Sequence, residues 1–170
     1  MGRKIKLIDT IRLIGYNPCS LNEGVGLREV CYIAECTHKC PGCQNEKYWY
    51  EEGDLYKIDE VVDKLTKNPI TDITISGGDG LTVQYENTLE LLKRLKEKCN
   101  KNIWLYTGYT WEQLFSLNKA EVLKYIDVIV DGRFEISERD VTLKFRGSSS
   151  QRIIDVKESL RENNVKEFKL

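Results

Sequence analysis

No apolar run in the sequence approaches the roughly 18 residues that a membrane-spanning helix needs. The N-terminus also lacks the apolar core of a signal peptide. Net charge is nearly absent: 26 Lys and Arg stand against 27 Asp and Glu, a formal balance of -1. Nucleic acids and anionic membranes select basic surfaces, so neither is an expected partner. There is no internal repeat, linker or low-complexity segment. These absences leave an expected cytoplasmic protein of 170 residues, 41% of them hydrophobic. That length suits a single domain over residues 1–170 with a core of its own.

Cysteine is present where so much else is missing. In a cytoplasmic chain, six cysteines point to metal binding, catalysis or plain buried thiols rather than disulfides. Cys19, Cys31 and Cys99 have no ligand-like spacing and read as ordinary thiols. Cys36, Cys40 and Cys43 stand at C-x3-C-x2-C in Cys36-Thr37-His38-Lys39-Cys40-Pro41-Gly42-Cys43, with no fourth cysteine close by. Thiolates are soft ligands suited to iron–sulfur clusters, Zn and Cu(I). Most [4Fe-4S] clusters take four cysteines. Three therefore leave one iron open, and an open position is how a metal site meets a substrate. Pro41 and Gly42 turn the chain tightly, so that backbone can pass close to a cluster. The rival is a structural Zn held by the three thiols and His38. His38 sits between the first two thiols, which is cramped for a fourth ligand of the same ion. The spacing favours the cluster and leaves Zn open.

Residues 3–14 alternate partially between apolar and charged, as an edge strand does. A loop is expected from Gly15 to Gly26, with Asn17-Pro18 as a breaker. It leads into Glu23-Gly24-Val25-Gly26-Leu27-Arg28, which reads as a surface turn. Strands are expected at 28–35, 72–76, 102–107 and 126–130, and a short one at the end of 141–154. Helices are expected at 58–67, 84–98, from Thr110, and near 155–163. Tyr48, Trp49, Tyr50 and Tyr56 read as packing over the thiol loop.

Strands alternating with helices imply an α/β fold with a parallel sheet and right-handed crossovers. The chain is too short for a closed barrel of eight βα units at ~250 residues. A partial (βα) barrel or curved, mostly parallel sheet fits better. Cys36, Gly77, Thr107 and Asp131 then lie at carboxyl ends of strands and converge on one rim, where α/β folds bind ligands. At that rim, Ser76-Gly77-Gly78-Asp79-Gly80 bares backbone groups and adds a carboxylate. Asp131-Gly132-Arg133 adds an acid and a base.

These residues carry a resemblance. C-x3-C-x2-C followed by a Gly-Gly-acid loop resembles the radical S-adenosylmethionine superfamily. Trp104-Leu-Tyr-Thr-Gly-Tyr-Thr-Trp111, Ile126-Asp-Val-Ile-Val-Asp-Gly-Arg-Phe134 and Phe145-Arg-Gly-Ser-Ser-Ser-Gln-Arg-Ile-Ile154 resemble the glycyl-radical-enzyme activases of anaerobic ribonucleoside-triphosphate reductase. The resemblance implies a radical-SAM-type sheet with a [4Fe-4S] cluster on Cys36, Cys40 and Cys43. It implies S-adenosylmethionine on the fourth iron, cleaved reductively to a 5′-deoxyadenosyl radical. That radical would take hydrogen from a glycine of the large reductase subunit. A reductant protein such as a flavodoxin would supply the electron.

By the same resemblance, Gly77, Gly78 and Asp79 would line the methionine amino group, and a side chain at either glycine would block approach to S-adenosylmethionine. Gly42 and Gln44, beside Cys43, would lie near the adenosine. Asp131, with Arg133, would serve the methionine end or the incoming peptide. The family's Gly-Gly-Glu-Pro appears here as Gly77-Gly78-Asp79-Gly80, and its Gly-Pro-Gly-x-Arg as Gly24-Val25-Gly26-Leu27-Arg28. Two other readings stand beside the activase: a radical enzyme acting on a small molecule, and a Zn-binding interaction module.

Overall fold

A computed structural model describes residues 8–170, and the alternation of side chains along its strands sets the architecture. The strands are β1 (Thr10–Ser20), β2 (Arg28–Ile33), β3 (Asp54–Lys57), β4 (Asp72–Gly77), β5 (Ile103–Tyr106), β6 (Val128–Asp131) and β7 (Arg152–Asp155). The helices are α1 (Ile58–Thr66), α2 (Gly80–Val83), α3 (Tyr85–Lys98), α4 (Trp111–Ser116) and α5 (Val156–Glu162). The strands form one mixed sheet in the order β3-β1-β2-β4-β5-β6-β7. β2, β4, β5 and β6 run parallel. β1, β3 and β7 are antiparallel to their neighbours. With β3 and β7 as its edges the sheet is open, so the fold is α/β but not a closed barrel.

Helix stripes meet one face of the sheet. Ile58, Val61, Val62 and Leu65 of α1 share a stripe, and Leu89, Leu92 and Leu95 of α3 share another. Both stripes join Cys31, Ile33, Ile75, Leu105 and Ile129 in the main core. α4 starts at a capping box in which Thr110 and Gln113 satisfy each other's backbone N–H groups. The in-between residues of the same strands face the other way. Trp104, Val128, Val130 and Ile153 form a second, small cluster there, packed by Tyr106, Phe145 and Phe168.

Several elements differ from the sequence expectation. Residues 3–7 of the expected first strand lie outside the described residues. β1 runs on to Ser20, through the expected loop. Its pairing with β2 slips between Leu13 and Gly15 and between Asn17 and Ser20. β3 pairs only with Thr10–Leu13, so Pro18 sits on a free, irregular edge and removes no ladder bond. β3 itself is short and mostly exposed, and it leaves little periodicity to read. The expected mostly parallel sheet is instead mixed, with three parallel and three antiparallel pairings, because its outer strands pair antiparallel. Among the described residues no helix is long and apolar enough to cross a membrane.

Candidate metal and cofactor site

The carboxyl ends of β2, β4, β5 and β6 lie side by side, as their register requires. They open onto a cavity of about 760 Å³ on the helix-free side of the sheet. This is ample for a cofactor-sized ligand. Cys36, Cys40 and Cys43 line it, together with Gly42 and Gln44 of the same loop. Gly77, Gly78 and Asp79 line it from the end of β4, and Thr107 from the end of β5. The far wall comes from two loops: residues 21–23 before β2, and 139–147 before β7.

The three thiols are half-buried, and all six cysteines are free. Burial, with the nearby Asp79 charge, pushes the Cys36 thiol up to about 11. Burial raises Cys40 and Cys43 as well. Free thiolates are therefore disfavoured here, and a metal bound to these sulfurs would have to release their protons. Backbone N–H groups are already placed to support it: His38 and Lys39 toward Cys36, Phe134 toward Cys40, and Asn45 toward Cys43 at 3.4 Å. Such bonds to sulfur are what tune an iron–sulfur cluster. Among the described residues no three His, Cys, Asp or Glu side chains converge on a single-ion site. His38 Nε2 faces Asp79 Oδ2 at 2.9 Å, away from the role of a fourth Zn ligand. Three thiols lining one cavity would suit a cluster, in which each thiolate binds a different iron.

The Gly77-Gly78-Asp79-Gly80 loop owes its glycines to neighbouring backbone. Gly77 has φ +99°, and a Cβ on it would lie 2.7–2.8 Å from backbone atoms of Ile33 and Tyr32. A Cβ on Gly78 would run into the carbonyl of Glu35, the residue before Cys36. Gly77 thus spares room for the end of β2, and Gly78 for the start of the thiol loop. Asp79 is 2% exposed and turned inward. Its Oδ1 accepts the Leu81 N–H at 2.9 Å and so caps α2. Its Oδ2 accepts the Thr107 hydroxyl at 2.9 Å and the Gly108 N–H at 2.8 Å. What the loop offers the cavity is therefore mainly backbone. A Cβ on Gly80 would strike Thr88, a buried residue of α3.

Asp131 departs from its expected place. It is fully buried, and the cavity is lined by Gly132 instead. Its carboxylate accepts the Trp111 N–H at 2.6 Å and pairs with Arg152 Nη2 at 2.6 Å, tying the start of α4 to β7. Arg133 is exposed, and its carbonyl accepts the Ser150 hydroxyl. The Gly24–Arg28 turn is no plain surface turn. Arg28 is 1% exposed and donates to Thr74, Val25, Ile73 and Asn102 while lying over the Trp104 ring. Burial lowers its pKa to about 10.

Reading the sequence missed two contributors. Asn45 donates its side-chain amide to the Gly77 carbonyl at 2.8 Å, joining the thiol loop to the glycine loop. The signal for it was a polar side chain two residues past the last thiol. Residues 139–147 form a cavity wall that composition alone marks only as polar.

The sequence matches the profile of the 4Fe-4S single cluster domain over residues 22–154. It is 36% identical over 146 residues to a protein of Haemophilus influenzae, covering 80% of this chain and 92% of the relative. It is 38% identical over 142 residues to one of enterobacteria phage T4, covering 80% and 88%. It is 34% identical over 144 residues to one of Escherichia coli K12, covering 80% and 93%. All three bear the name anaerobic ribonucleoside-triphosphate reductase-activating protein.

Proposed function

The chain belongs to the family of anaerobic ribonucleoside-triphosphate reductase-activating proteins, and on that premise we propose that it is an activase which places a glycyl radical on the large subunit of that reductase. The observation that carries the reading is one cavity edged by three thiols and a Gly-Gly loop at the carboxyl ends of four parallel strands. The open sheet is read with it, as one domain of the partial-barrel, radical SAM type. When bound, a [4Fe-4S] cluster would supply the electron for reductive cleavage of S-adenosylmethionine, the chemistry from which a glycyl radical on the partner would arise.

The chain's own residues bind, orient and shelter. Cys36, Cys40 and Cys43, all lining the cavity, would hold the cluster through three of its irons. Gly77, Gly78 and the Asp79 backbone lie where the methionine end would sit, and Asn45 holds that loop to the thiol loop. Gly42 and Gln44 flank the adenosine side. Asp131 acts from behind, holding Trp111 and Arg152 in place. A radical in so open a cavity needs water kept out. The two facing loops, residues 21–23 and 139–147, leave a mouth that a glycine-bearing loop of the reductase would fill. A one-electron reductant such as a flavodoxin would reach the cluster from the exposed side of the thiol loop. The free thiols fit work in a reducing cytoplasm.

The test is direct. Reduced, cluster-loaded protein is mixed without oxygen with S-adenosylmethionine and the reductase large subunit. A glycyl radical doublet should appear by electron paramagnetic resonance, with 5′-deoxyadenosine released. Normal release of 5′-deoxyadenosine with no radical on the partner would replace the activase reading with a small-molecule radical enzyme. Zn in place of iron and sulfide would return the interaction module.

A further inference from the structure

His38 is the chain's single histidine, and it lies inside the thiol loop. Its side chain is 5% exposed. The ring fills the gap between three loops. A Cβ on Gly108, after β5, would collide with it. The Tyr109 ring meets it edge-on, with centroids 4.7 Å apart. Its Nε2 lies 2.9 Å from Asp79 Oδ2, yet the ring is turned so that no hydrogen bond is completed. The same oxygen accepts the Thr107 hydroxyl and the Gly108 N–H. The ring is therefore a spacer in hard contact with the acid of the glycine loop, with an unpaired buried nitrogen beside it.

We infer that His38 is a positioning residue, whose ring sets the distance between the thiol loop and the Gly77–Asp79 backbone. The inference rests on the reading that these two segments hold the cluster and S-adenosylmethionine. The His38 backbone N–H supports the Cys36 sulfur, while its side chain meets Asp79 and Gly108, and the proposed role is carried by that side chain. A ring is needed because a shorter side chain would let the thiol loop settle onto the loop after β5. The open iron would then sit at the wrong distance from the backbone that receives the methionine end. Misplacement of this kind weakens cofactor binding without removing a contact to it.

The experiment uses anaerobically reconstituted full-length protein with His38→Ala, His38→Gln and Gly108→Ala. Iron and sulfide content, S-adenosylmethionine affinity by calorimetry, and the change in the reduced cluster's resonance spectrum on adding S-adenosylmethionine are measured. Iron should match wild type in all three. His38→Ala should bind S-adenosylmethionine about tenfold more weakly, with an altered spectral response, and His38→Gln should recover most of both. Gly108→Ala, which pushes the ring aside, should resemble His38→Ala and add little to it in the double variant.

Affinity and spectral response within about twofold of wild type in His38→Ala at full iron content would overturn the inference. So would iron loss in both His38 variants, which would make His38 part of cluster assembly. Should His38→Ala alone lose iron, Gly108→Ala decides: unchanged affinity there overturns the inference. Cluster-loaded wild type that binds no S-adenosylmethionine would instead sink the activase reading itself.

Discussion

The two faces of the sheet are made by the same strands and do different work. Cys31, Ile75, Leu105 and Ile129 point to the helices and are sealed there. Tyr32, Thr74, Ser76 and Tyr106 alternate with them and point the other way, where hydroxyls replace methyl groups. Parallel strands are usually apolar on both faces. Here one face retains that character and gives stability. The other becomes polar toward the carboxyl ends, where the cavity lies. A strand's period of two lets one short segment serve both ends without compromise. Function is thus confined to alternate residues and to the loops that follow them.

Cysteine offers the sharpest way to break this comparison, since the residue occurs on both sides. Cys36→Ala, Cys40→Ala or Cys43→Ala should each abolish iron binding and all activity, as measured by iron content after anaerobic reconstitution. Cys31 is fully buried on the helix face, and its thiol is pushed up to about 12 by burial. Cys31→Ala should keep full iron and lose only about 1 kcal/mol of stability in urea unfolding. Iron lost with Cys31, or retained without Cys40, would show that the faces are not separate in function.

Gly78 tests the seam between them. Its missing side chain makes room for the Glu35 carbonyl. Gly78→Val should therefore cost about 1–3 kcal/mol in overpacking and lower iron content as well as cofactor binding. Full iron with weakened S-adenosylmethionine binding would mean that the glycine serves the ligand alone.

The sequence carried the helix face and the rim well, for physical reasons that can be named. The α1 stripe from Ile58 to Leu65 and the apolar β6 repeat the periods that burial demands. The thiol spacing is a local signal, and Gly77-Gly78 can be read as a pair even though the backbone that requires it, at Tyr32, Ile33 and Glu35, lies far along the chain. What stayed hidden depends on partners far along it. Asp131 reads as a rim acid, but only the fold brings Arg152 and the Trp111 N–H onto it. Asp79 turns inward because Thr107 and Gly108 await it from the next strand. Arg28 resembled a turn residue until Thr74, Ile73 and Asn102 met its guanidinium. Asn17-Pro18 reads as a break in the middle of β1, because a free sheet edge cannot be seen in one strand's sequence.

The smallest expected effect comes from a charge on the helix side. Asp127 precedes β6 beside α3 and α5, and it is 8% exposed. Its carboxylate accepts the Ile103 N–H at 2.9 Å and meets Lys157 at 2.7 Å and Lys96 at 3.4 Å. Burial alone would raise its pKa, but the Lys157 bond, the Ile103 N–H and the Lys96 charge outweigh it, so the net shift is downward. A carboxyl depressed in the folded state contributes stability above its unfolded pKa, and loses that contribution as pH falls through the folded value. The window therefore opens below about pH 4. Lys157 is largely exposed, so solvent screens part of the pair. Asp127→Asn should cost roughly 1 kcal/mol at pH 7, and the gap from wild type should narrow as the medium is acidified below about pH 4. Acid lability of a bound cluster affects both proteins alike and cancels in that difference. Iron content and S-adenosylmethionine affinity at pH 7 should not change. If they did, a buried charge among the helices would be reaching the cavity through the sheet, and the division between the two faces would fail at that residue.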